Sequence, residues 1–117
     1  MHEIVGLENL NNIIYNNKDH LILLYFGAVW CGPCKKLKNK MEDKSELIEL
    51  KDLVICHLDI DNNENEELVK MYEVKNIPTL FFIKINENNE VFTLHKIIGY
   101  DWIGIKFAYN KLINNSY

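Results

Sequence analysis

The sequence predicts an α/β fold, a mixed central sheet with helices on both faces, formed by one domain over residues 1–117. Three observations carry this expectation. Leu21 to Gly27 is apolar on both strand faces, as in a central strand covered from two sides. A second buried-looking strand, Leu53 to Leu58, follows a helical stretch, and a strand–helix–strand succession makes a parallel pair the default. Two further runs, Thr79 to Ile85 and Val91 to Ile98, flank Asn86-Glu87-Asn88-Asn89-Glu90, which reads as a hairpin turn joining antiparallel strands. With 117 residues, 48% of them hydrophobic, the chain can bury one sizeable core and is not of disordered composition.

The remaining elements follow in chain order. Leu7, Leu10 and Ile14 recur at helical spacing and predict a first helix before the polar turn ending at His20. After the strand to Gly27, Cys34, Leu37, Met41 and Ile48 make one apolar stripe on a second helix, with Lys35, Lys36, Lys38 and Lys40 largely on its other faces. Those lysines read as a solvated surface. Asn63 and Glu66 have capping-box spacing ahead of a short helix carrying Leu68, Val69 and Tyr72. Asp101 is the expected N-cap of a last helix whose buried stripe is Trp102, Ile105, Tyr109 and Leu112.

Composition narrows the function. A net charge of −4 and the complete absence of Arg argue against a nucleic-acid binder and against Arg-fork recognition of phosphate. No apolar stretch reaches the length of a membrane span, and Met1 to Gly6 lacks a charged segment followed by an apolar one, so a cytoplasmic protein is expected. Asp59, Asp61, Asn63 and Glu64 fail the calcium-loop pattern, because the positions that need Gly and a final acid hold Glu64 and Lys70.

The chemistry concentrates in Trp30-Cys31-Gly32-Pro33-Cys34, between the first strand and the second helix. A strand ending in a turn that opens a helix puts Cys31 at the helix N-terminus. Unpaired N–H groups and the helix dipole favour a thiolate there. The thiolate is the nucleophile of disulfide exchange, and Cys34, one turn on, can resolve a mixed disulfide formed at Cys31. A structural zinc site needs four ligands, and the only other thiol, Cys56, lies alone in a predicted strand where it should pack as a small hydrophobe. No metal is expected.

The pentapeptide resembles the active site of the thioredoxin family residue for residue. Ile77-Pro78-Thr79 is similar to that family's cis-proline loop, and Gly99, after Ile97-Ile98, to the glycine that closes its substrate groove. The order of elements agrees along nearly the whole chain. The resemblance implies a redox-active Cys31–Cys34 disulfide and a cis peptide bond before Pro78. It also implies an apolar groove of Trp30, Gly32, Pro33, Ile77, Pro78 and Gly99 around Cys31, with the Ile77 backbone free to pair with an extended client segment. The implied activity is thiol–disulfide oxidoreduction on disulfide-containing client proteins, by a monomer without bound cofactor, recycled by thioredoxin reductase or a glutathione system. A binding module with incidental redox activity and a disulfide isomerase are the alternatives.

Three positions depart from the family. Tyr25 stands where most members carry a buried Asp that assists proton transfer at the second cysteine, Gly27 where many have a second Trp, and Asn39 where many have a helix-kinking Pro. A phenol, with an ordinary pKa near ~10, cannot replace that carboxylate. The resemblance implies that the strands of Tyr25 and His57 are neighbours and that both side chains look toward Cys34, which makes the two the candidate proton relay in its place.

Overall fold

The computed structural model describes residues 1–115. Five strands form one sheet in the order β1-β3-β2-β4-β5: β1 (His2–Glu3), β2 (Ile22–Gly27), β3 (Val54–Asp59), β4 (Thr79–Ile85) and β5 (Val91–Ile98). β2 runs parallel to β3 and antiparallel to β4, and β4 and β5 are antiparallel. The helices are α1 (Gly6–Tyr15), α2 (Gly32–Glu42), α3 (Lys44–Leu47), α4 (Glu66–Met71) and α5 (Trp102–Asn114), with 3₁₀ turns at Ile48–Leu50 and Asn63–Asn65. The mixed sheet with helices on both faces is therefore as the sequence predicts.

β2 organises the core because all six of its residues are buried. Alternation sends Leu23 and Tyr25 to one face, with Cys34, Leu37 and Met41 of α2 and Trp102 and Ile105 of α5. It sends Ile22, Leu24 and Phe26 to the other, with Leu10 and Ile14 of α1 and Leu68 of α4. Full burial of a Leu, Ile or Phe side chain contributes about 1.5–3 kcal/mol, so this one strand anchors both layers. Cys56 is fully buried in the second cluster, as a small hydrophobe. Asp101 caps α5 by accepting from the Gly104 N–H at 2.8 Å. Asn86 closes the hairpin by accepting from the N–H groups of Asn88 and Glu90, and Asn89 takes the left-handed φ of 64° that Asn tolerates.

Two expectations are corrected. Ile48 does not continue the α2 stripe and is 78% exposed. The helix ends at Glu42 because Asp43 is extended and caps a new turn through the Ser45 N–H at 2.9 Å. The turn redirects the chain, and Leu47 and Leu50 pack on the core instead. Asn63 and Glu66 do not form a capping box either. Asn62 caps the 3₁₀ turn through the Glu64 N–H, and α4 begins only at Glu66.

One strand lies outside the sequence expectation. β1 pairs parallel with β3, setting Glu3 beside His57, and the Ile4 N–H continues the ladder to the His57 carbonyl at 2.9 Å. Asn65 locks this N-terminal segment in place. Fully buried, it accepts from the Gly6 N–H at 2.8 Å and donates to the carbonyls of Ile4 and Asp59, each at 3.1 Å. Asn65→Ala would leave one buried and two part-buried backbone groups without this partner, and we expect a loss of about 2–4 kcal/mol in urea denaturation. A loss below about 0.5 kcal/mol, the range of surface substitutions, would contradict this role.

Candidate active site

The topology brings the predicted residues to one end of the sheet. β2 ends at Gly27, leading to Trp30 and Cys31, while the antiparallel β4 begins at Thr79, with Phe26 opposite Thr79. β5 ends opposite the same residue, with Ile98 against Thr79. The exit of β2, the Ile77-Pro78 loop and Gly99 are thereby neighbours. The Ile77–Pro78 bond is cis. The Gly99 N–H donates to the Pro78 carbonyl at 2.8 Å, and Gly99 adopts φ 91°, a conformation that favours glycine. A Cβ at Gly99 would meet nothing within 4 Å, so the position borders open space.

Cys31 is the N-cap residue of α2, with Gly32 and Pro33 opening the helix as proline at a first turn allows. Cys31 and Cys34 form a disulfide. Cys31 Sγ accepts from the Cys34 N–H at 3.3 Å and lies 3.9 Å from the Ile77 carbonyl oxygen. Cys31 is 6% and Cys34 1% exposed. Cys31 is the more open of the two, yet both are buried. In the oxidised form its sulfur is turned onto the helix start and the cis-proline loop. Gly32 and Pro33 are exposed and Ile77 is half-buried, whereas Pro78 is buried. Trp30 stands out at 66% exposure, its indole N–H donating to Asp61 at 2.7 Å. Trp102 is buried and donates to Glu46 at 2.9 Å, a packing role.

The Tyr25 hydroxyl donates to the Cys34 backbone carbonyl at 2.7 Å and so fastens the first turn of α2 to β2. Burial, with a smaller contribution from Glu3, pushes its phenol up to about 12. Tyr25 consequently stays protonated at neutral pH, with its hydroxyl held on the Cys34 carbonyl in contact with the site. Its ring lies 4.8 Å from that of His57, centroid to centroid. The ring also explains Gly27: a Cβ there would sit 2.9 Å from both Tyr25 Cε1 and the hydroxyl oxygen. The two departures at 25 and 27 are one steric unit.

His57 is buried, and its Nδ1 meets both oxygens of Glu3, at 2.8 and 2.9 Å. Glu3 was invisible to sequence reasoning, since two polar residues near the chain start carry no periodicity. Only the strand register puts it opposite His57.

A family model described as thioredoxin matches residues 3–96. The chain belongs to the thioredoxin family. A solved structure of Trichomonas vaginalis thioredoxin is 34% identical, covers 96% of each chain and superposes with a TM-score of 0.81. Chlamydia pneumoniae thioredoxin is 37% identical over 91 residues, 78% of this chain and 80% of that protein. Thioredoxin 3 of Plasmodium falciparum is 29% identical over 109 residues, 93% of this chain but 57% of its own length. The chain thus spans little more than half of that curated relative.

Buried acids of this thioredoxin-family chain, Cys56 and Tyr25 foremost and Tyr72 with them, should weaken the fold at alkaline pH. Burial raises the Cys56 thiol from 9.0 to about 12 and the Tyr25 phenol from 10.0 to about 12. A raised folded pKa means that the unfolded chain loses the proton first, so the stability is complete below the unfolded pKa and declines as pH rises through the folded one. For the oxidised protein we expect the urea midpoint to fall from about pH 9 upward and more steeply beyond about pH 10. In Cys56→Ala the first part of that decline should vanish. An unchanged onset in this variant would show that Cys56 titrates freely when folded.

Proposed function

We infer that this protein is a thiol–disulfide oxidoreductase that reduces disulfides in client proteins. The observation that carries the reading is the Cys31–Cys34 disulfide closed across the first turn of α2, with Cys31 Sγ facing the cis-proline loop. In the dithiol form, the Cys34 N–H and the α2 N-terminus stabilise a Cys31 thiolate. That thiolate attacks one sulfur of a client disulfide. A Cys31–client bond forms, and the other client sulfur leaves and takes up a proton. Cys34 then gives up its own proton and attacks Cys31 Sγ, which forms the Cys31–Cys34 bond and releases the second client thiol. The client gains two electrons and the dithiol loses two.

The groove assignment rests on the same geometry. The Ile77 carbonyl 3.9 Å from Cys31 Sγ and the Gly99 N–H bonded to the Pro78 carbonyl support a groove of Trp30, Gly32, Pro33, Ile77, Pro78 and Gly99 that receives an extended client segment along the Ile77 backbone by strand addition. The thiols carry the electrons themselves, so the cycle requires no bound cofactor. A thioredoxin reductase or a glutathione system restores the dithiol. A reducing role needs a compartment that keeps the dithiol populated, which supports the cytoplasm.

Insulin reduction driven by dithiothreitol tests the activity. The wild type should accelerate it, and Cys31→Ser should return it to the rate of dithiothreitol alone. No acceleration by the wild type would favour the binding-module reading.

A second measurement tests the roles and the groove. Iodoacetamide near neutral pH should label Cys31 of the reduced protein before Cys34, with Cys56 last. Cys34→Ser should accumulate client mixed disulfides through Cys31, and adding Gly99→Asp should lower their yield severalfold. Undiminished trapping in the double variant would displace Gly99 from the groove.

A further inference from the structure

Cys34 has to become a thiolate in a place that disfavours one. It is 1% exposed, and a charge out of reach of water is costly unless a neighbour supports it. Beside it lies a cavity of about 120 Å³ whose polar lining is Tyr25, Cys34, Lys35, Lys38 and His57. Its volume far exceeds the about 10–15 Å³ that one water needs. Of the groups around it, only one can accept a proton. The Tyr25 hydroxyl is committed as a donor to the Cys34 carbonyl. Lysine ammonium groups only donate. His57 remains.

The partner of His57 decides which nitrogen is available. A carboxylate can only accept a hydrogen bond, and Glu3 presents both oxygens to Nδ1, at 2.8 and 2.9 Å. The proton of the neutral ring is therefore held on Nδ1, which leaves the lone pair on Nε2. This arrangement is laid out by strand register, with Glu3 of β1 opposite His57 of β3, and His57 opposite Tyr25 of β2. The Glu3 side chain is 57% exposed against 10% for His57, so the dyad runs from the buried site to solvent. The titratable and charged groups facing the imidazole are Glu3 from β1, Tyr25 from β2, and Cys34, Lys35 and Lys38 from α2. Asp59 follows on the same face of β3.

We propose that Glu3 and His57 act as a dyad that takes the Cys34 proton across this cavity. His57 is the acceptor, Glu3 the positioning residue that fixes its tautomer, and Tyr25 the positioning residue that holds Cys34. This rests on the oxidoreductase reading above and concerns its second step alone. The proton passes from Cys34 Sγ to Nε2, directly or through water. The freed electron pair attacks Cys31 Sγ, the Cys31–Cys34 bond forms and the Cys31–client bond breaks. The departing client thiolate takes up a proton from the imidazolium or from water.

Stopped-flow reaction of the reduced full chain with 5,5′-dithiobis(2-nitrobenzoate) separates the steps. Attack by Cys31 releases one thionitrobenzoate, and resolution by Cys34 releases a second. His57→Gln should leave the first release within about twofold and slow the second at least about tenfold near neutral pH, the lower end of general-base contributions being near a hundredfold. Glu3→Gln should slow the second release less than His57→Gln does, because the base remains and only its orienting partner is lost. In His57→Gln the acid limb of that phase should disappear. A purely structural effect would not move that limb. A second phase in both variants that superimposes on the wild type from pH 5 to about 9, across the range of histidine titration, overturns the dyad and leaves the oxidoreductase reading intact. Absence of any second release from the wild type overturns that reading, and the dyad with it.

Discussion

The hydrogen bond from the Tyr25 hydroxyl to the Cys34 carbonyl is the constraint on which the site depends. β2 is fixed from both faces by the core, and this bond transmits that rigidity to the first turn of α2. The turn in turn sets Cys31 as N-cap, its sulfur against the Cys34 N–H and toward the Ile77 carbonyl. A helix start left to itself frays. Here it is tethered within one residue of the reacting pair. The same bond directs the phenolic proton onto the main chain, so Tyr25 holds Cys34 through its backbone.

Tyr25 also reaches backward along the chain. Its ring occupies the volume that a side chain at position 27 would need, and Gly27 is the consequence. Two departures from the family pattern that look independent in sequence are thus a single packing solution. The aromatic contact with His57 extends the solution to β3, and the Glu3 carboxylate extends it to β1. A row of side chains on three adjacent strands stands where a shorter acid alone would have stood.

Much of this was legible in the sequence, and the reasons differ by element. β2, β4 and β5 declared themselves by length and by the Asn-rich turn, and the cysteine pair by its spacing and position after a strand. Tyr25 and His57 could be placed on one face from strand parity together with the family resemblance, and the register sets them opposite one another. What escaped was non-local or too short to have a period. β1 is two polar residues that become a strand only because β3 offers an unpaired edge. Asn65 looks like a loop residue, and its three backbone partners lie in segments far apart in sequence. Ile48 was misassigned because apolar spacing continued across a break that Asp43 imposes. The bond between Tyr25 and a main-chain carbonyl left no trace in side-chain patterning at all.

The sheet divides the three thiols. Cys31 and Cys34 belong to the layer under α2 and α5, while Cys56 is sealed in the layer under α1 and α4. With Cys56 facing the opposite side of the sheet, the folded chain has only one way to pair its sulfurs internally. Alternative disulfide isomers would require the sheet itself to open. The electron inventory of the native protein is therefore binary: empty or holding two, with no intramolecular shuffling among three sulfurs to blur the count.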